Sequence, residues 1–525
     1  MLTFNIPGAD PVLQRTVETR PKAVAEWLGR LPFASPADTA QQLLLALHGL
    51  NRHTLGEDDR STLLALYRPV VARATASLEA QLADSGVPPH AQQKQIGTLL
   101  RELHVEHSIG YKLVLQGLTQ RRFGRAHPKR VAETLARLLA ALRDVIGACD
   151  LTRIPPPAGT WREIHQFHAY ARTSNLADTA ADDAPSAAQA YCQALLIALA
   201  DPPHMSHAEL LATRQVLDRF ATLAVLAAAP VDGHQGFTIP TDVDAPPSHQ
   251  APAGLPPGAL WLDTDALCRQ LHEIAVRLRD GGAPGRIGLP EGLESGFGQA
   301  LCKRLLKQWR TGSQRAFRRF AAPGSTMQMV AGVSAIHRLL ELEPAAAKGE
   351  PDEMDSLPIL DVETAHAAPI VVNATRWTVS NDSAAGLALS GTPGAPLNLK
   401  VGDPLGLRGD AATAWSLGVI RWIRMRDARQ VELGIERLSP QVQPVWVQPL
   451  RGHRKTSPEP ALFVPGVAAL QQKDRLMLPR HLYQIGMDAD VLHPPHRYTL
   501  TFGRCLEQTP SFDLIDFTIF SDEPT

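Results

Sequence analysis

RWTVSNDSAAGLALSG, residues 376–391, decides how the second half of this chain is read. Apolar and polar residues alternate through Trp377 and Val379, break at Asn381-Asp382-Ser383, and resume at Leu387 and Leu389 after Gly386. A period of two is the mark of a half-buried strand, so the stretch predicts a strand on each side of a break. A two-residue hairpin turn favours Asn and Gly side by side, because both tolerate positive φ. Here Asn, Ser and Gly are spread over the spacing NxSxxG. The break is either a slightly long polar turn or a short loop that presents side chains and bare backbone to a ligand.

Strand pattern continues outward from it. TMQMVAGV from Thr326, PLNLKVGDPLGL from Pro396, WSLGVIRWIR from Trp415 and QVELGIERL from Gln430 alternate or run apolar, with turn residues between them. This is the pattern of a small antiparallel barrel. The segment from Glu341 to Ala368 is acidic, rich in Pro and Ala and poor in aromatics, which predicts a mobile insertion between two barrel strands. Strand pattern from Ala461 to Phe520 predicts a β extension or a second small β unit.

The amino-terminal portion has a different period. QQLLLALHGL behind Ser35-Pro36, DDRSTLLALYRPVVARATASLEAQL, AQQKQIGTLLRELHVEHSIGYKLVLQGL and PKRVAETLARLLAALRDVIG repeat apolar residues at three and four, as do the stretches around Trp161 and Leu210. No fixed repeat links them, which argues against a solenoid. The longest apolar run, Phe220 to Ala229, is about half the ~20 residues a membrane span requires and is read as a core helix. The fold class is therefore α+β. Residues 1–230 form a helical domain and residues 231–312 a linking segment with short strands and helices. Residues 313–445 form a β-barrel interrupted by the insertion at 341–368, and residues 446–525 a β-rich carboxyl-terminal extension.

Composition limits the function classes. The chain has 525 residues and a net charge of −1, so it carries no bulk attraction for a nucleic acid polymer or an anionic membrane surface, and any anion site must be a local arginine cluster. Its five cysteines are odd in number, widely spaced and without CxxC, which reads as buried thiols in a reducing compartment. The amino terminus lacks the basic start and apolar run of a secretory signal, so a cytoplasmic protein without membrane insertion is expected.

QRAFRRF, residues 314–320, stands just ahead of the first barrel strand and places Arg315 and Arg319 four apart. An RxxxR run before the first strand, followed by (D or N)xSxxG at a later one, resembles the PilZ domain, a bacterial receptor module for cyclic di-GMP. The distal strands GVIRW, 418–422, and VELGIERL, 431–438, are also similar to that family. The resemblance covers roughly residues 313–445. It implies that Arg315, Arg319, Asn381, Ser383 and Gly386 bind the ligand; Arg318 and Arg376 lie beside the motifs, either as further phosphate contacts or as solvent-facing arginines. It also implies that the protein is not an enzyme, needs no cofactor, and passes the signal to a protein partner through its helical region. The chemistry agrees with it. A guanidinium holds phosphate oxygens in a planar fork and also contacts or stacks on guanine. Asn381 and Ser383 offer short donors and acceptors, and Gly386 permits an approach that a Cβ would block. Under this resemblance NxSxxG is a ligand-gripping loop, while Trp377 is read as a barrel-core residue.

Two other classes are weighed against the receptor. HVEH, 104–107, and HQFH, 165–168, each put two histidines one helical turn apart, with Glu102, Glu106 and Glu163 nearby, which would suit a metal inside a helical bundle and a metalloenzyme. A plain interaction scaffold, with a barrel that has lost its ligand, is the third. No Walker A loop, GxGxxG, GxSxG, GGDEF or EAL signature is present in the sequence.

Overall fold

The computed structural model describes residues 2–12, 17–120, 127–249, 258–310, 320–321, 324–348, 374–383, 385–393, 397–410, 412–427, 429–451, 454–455, 457–466, 471–493 and 496–524. The chain divides into two compact units, residues 1–85 with 89–315 and residues 86–88 with 316–525.

The first unit begins with helices α1 (Pro21–Leu28), α2 (Pro36–Arg52), α3 (Glu57–Leu82), α4 (Ala91–Thr119), α5 (Pro128–Thr152), α6 (Thr160–Thr173), α7 (Ala187–Leu199) and α8 (His207–Phe220). Their starts follow local chemistry. Proline occupies the first turn of α1, α2 and α5, where its missing N–H is not needed. Ser186 with Gln189 and Ser206 with Glu209 form capping boxes on α7 and α8. Helix α7 is apolar nearly all round and correspondingly buried, from Ala187 to Leu199.

A three-stranded antiparallel sheet follows, with β1 (Val225–Ala227) and β2 (Gly236–Ile239) flanking β3 (Leu260–Asp263), and then α9 (Asp265–Arg279) and α10 (Ser295–Arg310). These elements share the core of the helices. Phe237, Leu262, Leu271, Leu305 and Trp309 belong to the same buried cluster as Leu100, Leu135 and Leu196, and the Trp309 indole N–H donates to the Leu196 carbonyl at 3.0 Å. The apolar run at Phe220–Ala229 is not the expected core helix. It ends α8, makes one 3-10 turn at Ala221–Leu223 and becomes β1, where Val225 is exposed. Its Ala and Leu residues are helix formers, but pairing with β3 overrides that preference.

The second unit holds two closed six-stranded barrels. In the first, β4 (Phe320–Ala321) is followed by β5 (Thr326–Ala331), helix α11 (Val333–Lys348), β6 (Thr375–Ser383), β7 (Gly386–Gly391), β8 (Pro404–Gly409), β9 (Ser416–Met425) and β10 (Val431–Ser439). The strands run antiparallel in the order β6-β5-β8-β9-β10-β7, and β7 returns to β6 to close the ring, with the short β4 laid beside the end of β6. The second contains β11 (Gln443–Arg451), β12 (Arg454–Lys455), β13 (Glu459–Val464), β14 (Arg475–Pro479), β15 (Asp488–His493), β16 (His496–Gln508) and β17 (Phe512–Pro524). Its ring is β11-β13-β14-β17-β16-β15, with β15 paired back to β11. Closure removes the sheet edges that an open six-stranded sheet would expose.

Residues 341–348, read from sequence as the start of a mobile insertion, are the last turns of α11. The rest of that insertion, 349–368, lies outside the described residues. Helix α11 is anchored from two sides. Glu343 accepts from Arg408 of β8 (2.6 Å) and from the Trp415 indole next to β9 (2.9 Å), while Glu341 accepts from the Trp446 indole of β11 (2.9 Å). Val333 and Ile336 of α11 share one buried cluster with Leu417 and Val419 of the first barrel and Leu462, Met477 and Phe512 of the second. No helix among the described residues is long and apolar enough to cross a membrane.

Candidate ligand-binding site

The break in residues 376–391 is a hairpin after all. Strand β6 does not stop at Ser380 but continues through Asn381 and Asp382 to Ser383, which pairs with Gly386 across a two-residue connection, Ala384-Ala385. The expectation of a loop between two shorter strands is corrected accordingly. Within β6 the register slips between Val379 and Asn381, so Ser380 is the extra residue of a β-bulge. The bulge turns the side-chain alternation over just before the motif. Val379 opposes Leu389 on the barrel interior, whereas Asn381 opposes Ala388 on the outer face.

Asn381, Ala388, Gly434 and Trp422 therefore form one cross-strand row over β6, β7, β10 and β9. Gly434 has no room for a side chain, because a Cβ there would overlap the Trp422 indole that lies over it. The Arg424 guanidinium sits 5.6 Å from the Trp422 ring centre. The Asn381 amide forms no side-chain hydrogen bond to another described residue, and Asn381 is half-buried. Ser383 Oγ donates to the Gly386 carbonyl at 2.8 Å, which uses its one proton and leaves its lone pairs as acceptors.

Gly386 is required by the barrel itself. A Cβ there would run into the Ile435 carbonyl oxygen of β10, so the close approach read from sequence is made by a neighbouring strand. Trp377 is 2% exposed inside the barrel and donates to Thr375 Oγ1 at 2.9 Å. Arg376 points outward with its side chain 66% exposed, 3.5 Å from Asp410. Arg315, Arg318 and Arg319 lie outside the described residues. The two residues that follow them, Phe320 and Ala321, are β4 and pair antiparallel with Asp382 and Asn381.

Sequence reasoning missed Arg437. From β10 its Nη1 donates to the Ser383 carbonyl at 2.7 Å and lies 2.7 Å from Asp382 Oδ1, and its Nη2 donates to Asp382 Oδ2 at 3.1 Å. Trp422 was missed as well. The only sequence signal was two large or charged residues within strands already read as barrel, and register was needed to bring them to the motif.

The histidine pairs do not converge on a metal site. His168 stacks on Tyr191 at 3.9 Å, His165 Nδ1 is 2.7 Å from the Tyr191 hydroxyl, and His107 packs edge-on against Tyr111. Glu163 is ion-paired to Lys112 at 2.5 Å and Glu106 to Arg52 at 3.0 Å, while Glu102 is exposed. No group of three or more His, Cys, Asp or Glu side chains able to hold a metal occurs among the described residues. Burial lowers the pKa of His107 to about 4 and of His168 to about 3, and moves those of His104 and His165 down too. Four of the cysteines are buried and Cys505 is half-buried, all as free thiols; burial pushes Cys149 and Cys192 up to about 12, far from the reactive thiolate range.

A family model for the middle PilZ domain of the cyclic-di-GMP receptor FimW matches residues 362–444, which include the whole NxSxxG hairpin. Residues 362–444 are thus matched as a PilZ domain. The FimW amino-terminal domain matches residues 22–230 and the FimW carboxyl-terminal β-barrel domain residues 445–520, so the PilZ barrel here is flanked as in that group. The curated cyclic-di-GMP receptor FimW of Pseudomonas aeruginosa is 26% identical, over 98% of this chain and 93% of its own length. No solved structure matches the chain.

Proposed function

We infer that this PilZ protein is a non-catalytic receptor that binds cyclic di-GMP on the outer face of its first barrel, at the β6–β7 hairpin. The observation that carries the reading is the pairing of β4 with Asn381 and Asp382. It brings the chain that leaves QRAFRRF alongside the NxSxxG motif, although the two are more than sixty residues apart in sequence. Arg315 and Arg319, with Arg318 and Arg376 as further cations, supply the forks that two phosphodiesters need. Asn381 and Ser383 supply base-edge groups. The lone pairs of Ser383 suit the N–H donors of guanine. Gly386 serves by letting β7 lie close to β10.

The helical unit is the part that engages a protein partner, and the protein works in the cytoplasm, where the messenger is made. Calorimetric titration of the full chain with cyclic di-GMP tests the reading. Saturable binding without appearance of linear dinucleotide or monomeric guanylate is expected, and Arg319→Ala weakens it about 10- to 150-fold, as the loss of one charge-assisted contact of roughly 1.5–3 kcal/mol. A flat titration at micromolar protein rejects the receptor and leaves the scaffold; product formation rejects the non-catalytic role.

A further inference from the structure

We propose that Arg437 is a positioning residue for the ligand hairpin, acting through Asp382, in a site whose ligand reading is the one given above. The two residues that connect Ser383 to Gly386 are both alanine. Two-residue hairpins adopt turns that need positive φ at one or both central positions, where Gly, Asn or Asp are favoured and alanine is not. The turn sequence therefore does little to fix the end of β6. What fixes it is β10. The Arg437 backbone N–H donates to the Ala385 carbonyl at 3.0 Å, and its guanidinium spans the Ser383 carbonyl and the Asp382 carboxylate. Contacts from one residue thus hold Ala385 and the last two residues of β6.

The orientation matters for the motif. Asp382 lies between Asn381 and Ser383, and its strand neighbours point to the opposite side of the ribbon. Clamping the Asp382 carboxylate and the Ser383 carbonyl sets the rotation of this strand end about its own axis, and with it the directions of the Asn381 amide and Ser383 hydroxyl. The geometry also calls for arginine in particular. One planar fork reaches a carbonyl and a carboxylate together, which a lysine ammonium, a single point charge on a flexible stem, cannot reproduce in fixed geometry. The pair is only partly screened from water, with side chains 34% and 43% exposed for Arg437 and Asp382, so its value lies in geometry more than in stability.

The test uses full-length protein and measures cyclic di-GMP affinity by calorimetry alongside hydrogen–deuterium exchange of the ligand-free peptide covering the hairpin. Arg437→Ala is expected to weaken binding about tenfold and to speed exchange at residues 380–390, with exchange in β8 and β14 unchanged. Arg437→Lys keeps a charge beside Asp382 and retains the fold, yet recovers only part of the affinity; it carries the test if the alanine variant does not fold. Asp382→Asn, which still leaves the Ser383 carbonyl bridged, falls between. If the parent protein binds no cyclic di-GMP, the receptor reading itself is lost. If it binds and the Arg437 variants match its affinity, the positioning role is wrong. Weaker binding with unchanged hairpin exchange also overturns it, since Arg437 would then touch the ligand directly.

Discussion

The helical unit and the PilZ barrel handle buried polar groups in opposite ways. In the helical unit, ionisable side chains are taken inside. Lys112 meets Glu163, Arg60 donates to the Leu50 carbonyl, and His104, His107, His165 and His168 are buried as neutral rings. In the barrel the interior is almost wholly apolar, with Trp377, Leu389, Leu405, Ile420 and Leu433 filling it. Its ion pairs stay partly open to water, Arg437 with Asp382 at the hairpin end and Arg421 with Glu436 and Glu507. The lesson is about where chemistry remains available. A closed barrel has a small interior and a broad outer face, so its functional groups are presented outward, whereas a helical array can enclose polar residues that then serve packing alone.

Acid should separate the two regions most strongly. A histidine held neutral by burial contributes stability that is complete above the ordinary imidazole range and is lost as pH falls below about 6.5 toward its lowered value. With His107 at about 4 and His168 at about 3, each costs on the order of 2 kcal/mol by pH 5. Asp150, raised by burial to about 7, works in the opposite direction, because its protonated form is favoured in the folded state and gains as pH falls. Two strongly displaced histidines, aided by His104 and His165, outweigh it. Hydrogen exchange corrected for intrinsic rate should lose protection in α4 and α6 between pH 7 and pH 5 before β9 and β10 do, and equal loss in both would erase the contrast.

Trp377→Ala probes the barrel interior. Truncating a fully buried tryptophan costs roughly 3–5 kcal/mol, so denaturant unfolding followed on barrel probes should shift to lower midpoint while α4 and α5 hold. Gly386→Ala is the next test. The new methyl group meets the Ile435 carbonyl, which forces β7 from β10 at a cost of about 1–3 kcal/mol, and cyclic di-GMP affinity should fall together with stability. A variant that binds normally would show that β7 shifts without disturbing the motif. The smallest effect belongs to Ser383→Ala. It removes one hydroxyl worth about 0.5–1.5 kcal/mol, so affinity should fall roughly 2- to 12-fold with the melting temperature nearly unchanged. Loss of stability instead of affinity would place Ser383 with the interior residues in the comparison.

Much of this contrast was legible before any coordinates. The three-and-four spacing identified α2 to α6 and α8, and the alternation identified the strands of the first barrel, because each periodicity is imposed by local backbone geometry. The NxSxxG residues were legible as a motif but misread as a loop. Nothing in Ala384-Ala385 announces a two-residue turn, and Arg437, which contacts the hairpin end, lies some fifty residues away in sequence. Helix α11 was lost for a related reason. Its acidic second half looked solvated, and the partners that order Glu341 and Glu343 are the indoles of Trp446 and Trp415 on distant strands.

The sequence by itself determined which segments could bury a face, the change from helix to strand after Trp309, and the residue types able to meet two phosphates and two guanines. Those are properties of near neighbours along the chain and of side-chain chemistry. Tertiary structure alone decided that both strand sets close into barrels, that Phe220–Ala229 leaves helix for strand, that Gly386 yields to Ile435, and that Asn381 shares a row with Trp422. Each of these rests on register between strands far apart in sequence. A slip of one residue would reverse every face, and only the packed barrel supplies the energy that forbids the slip.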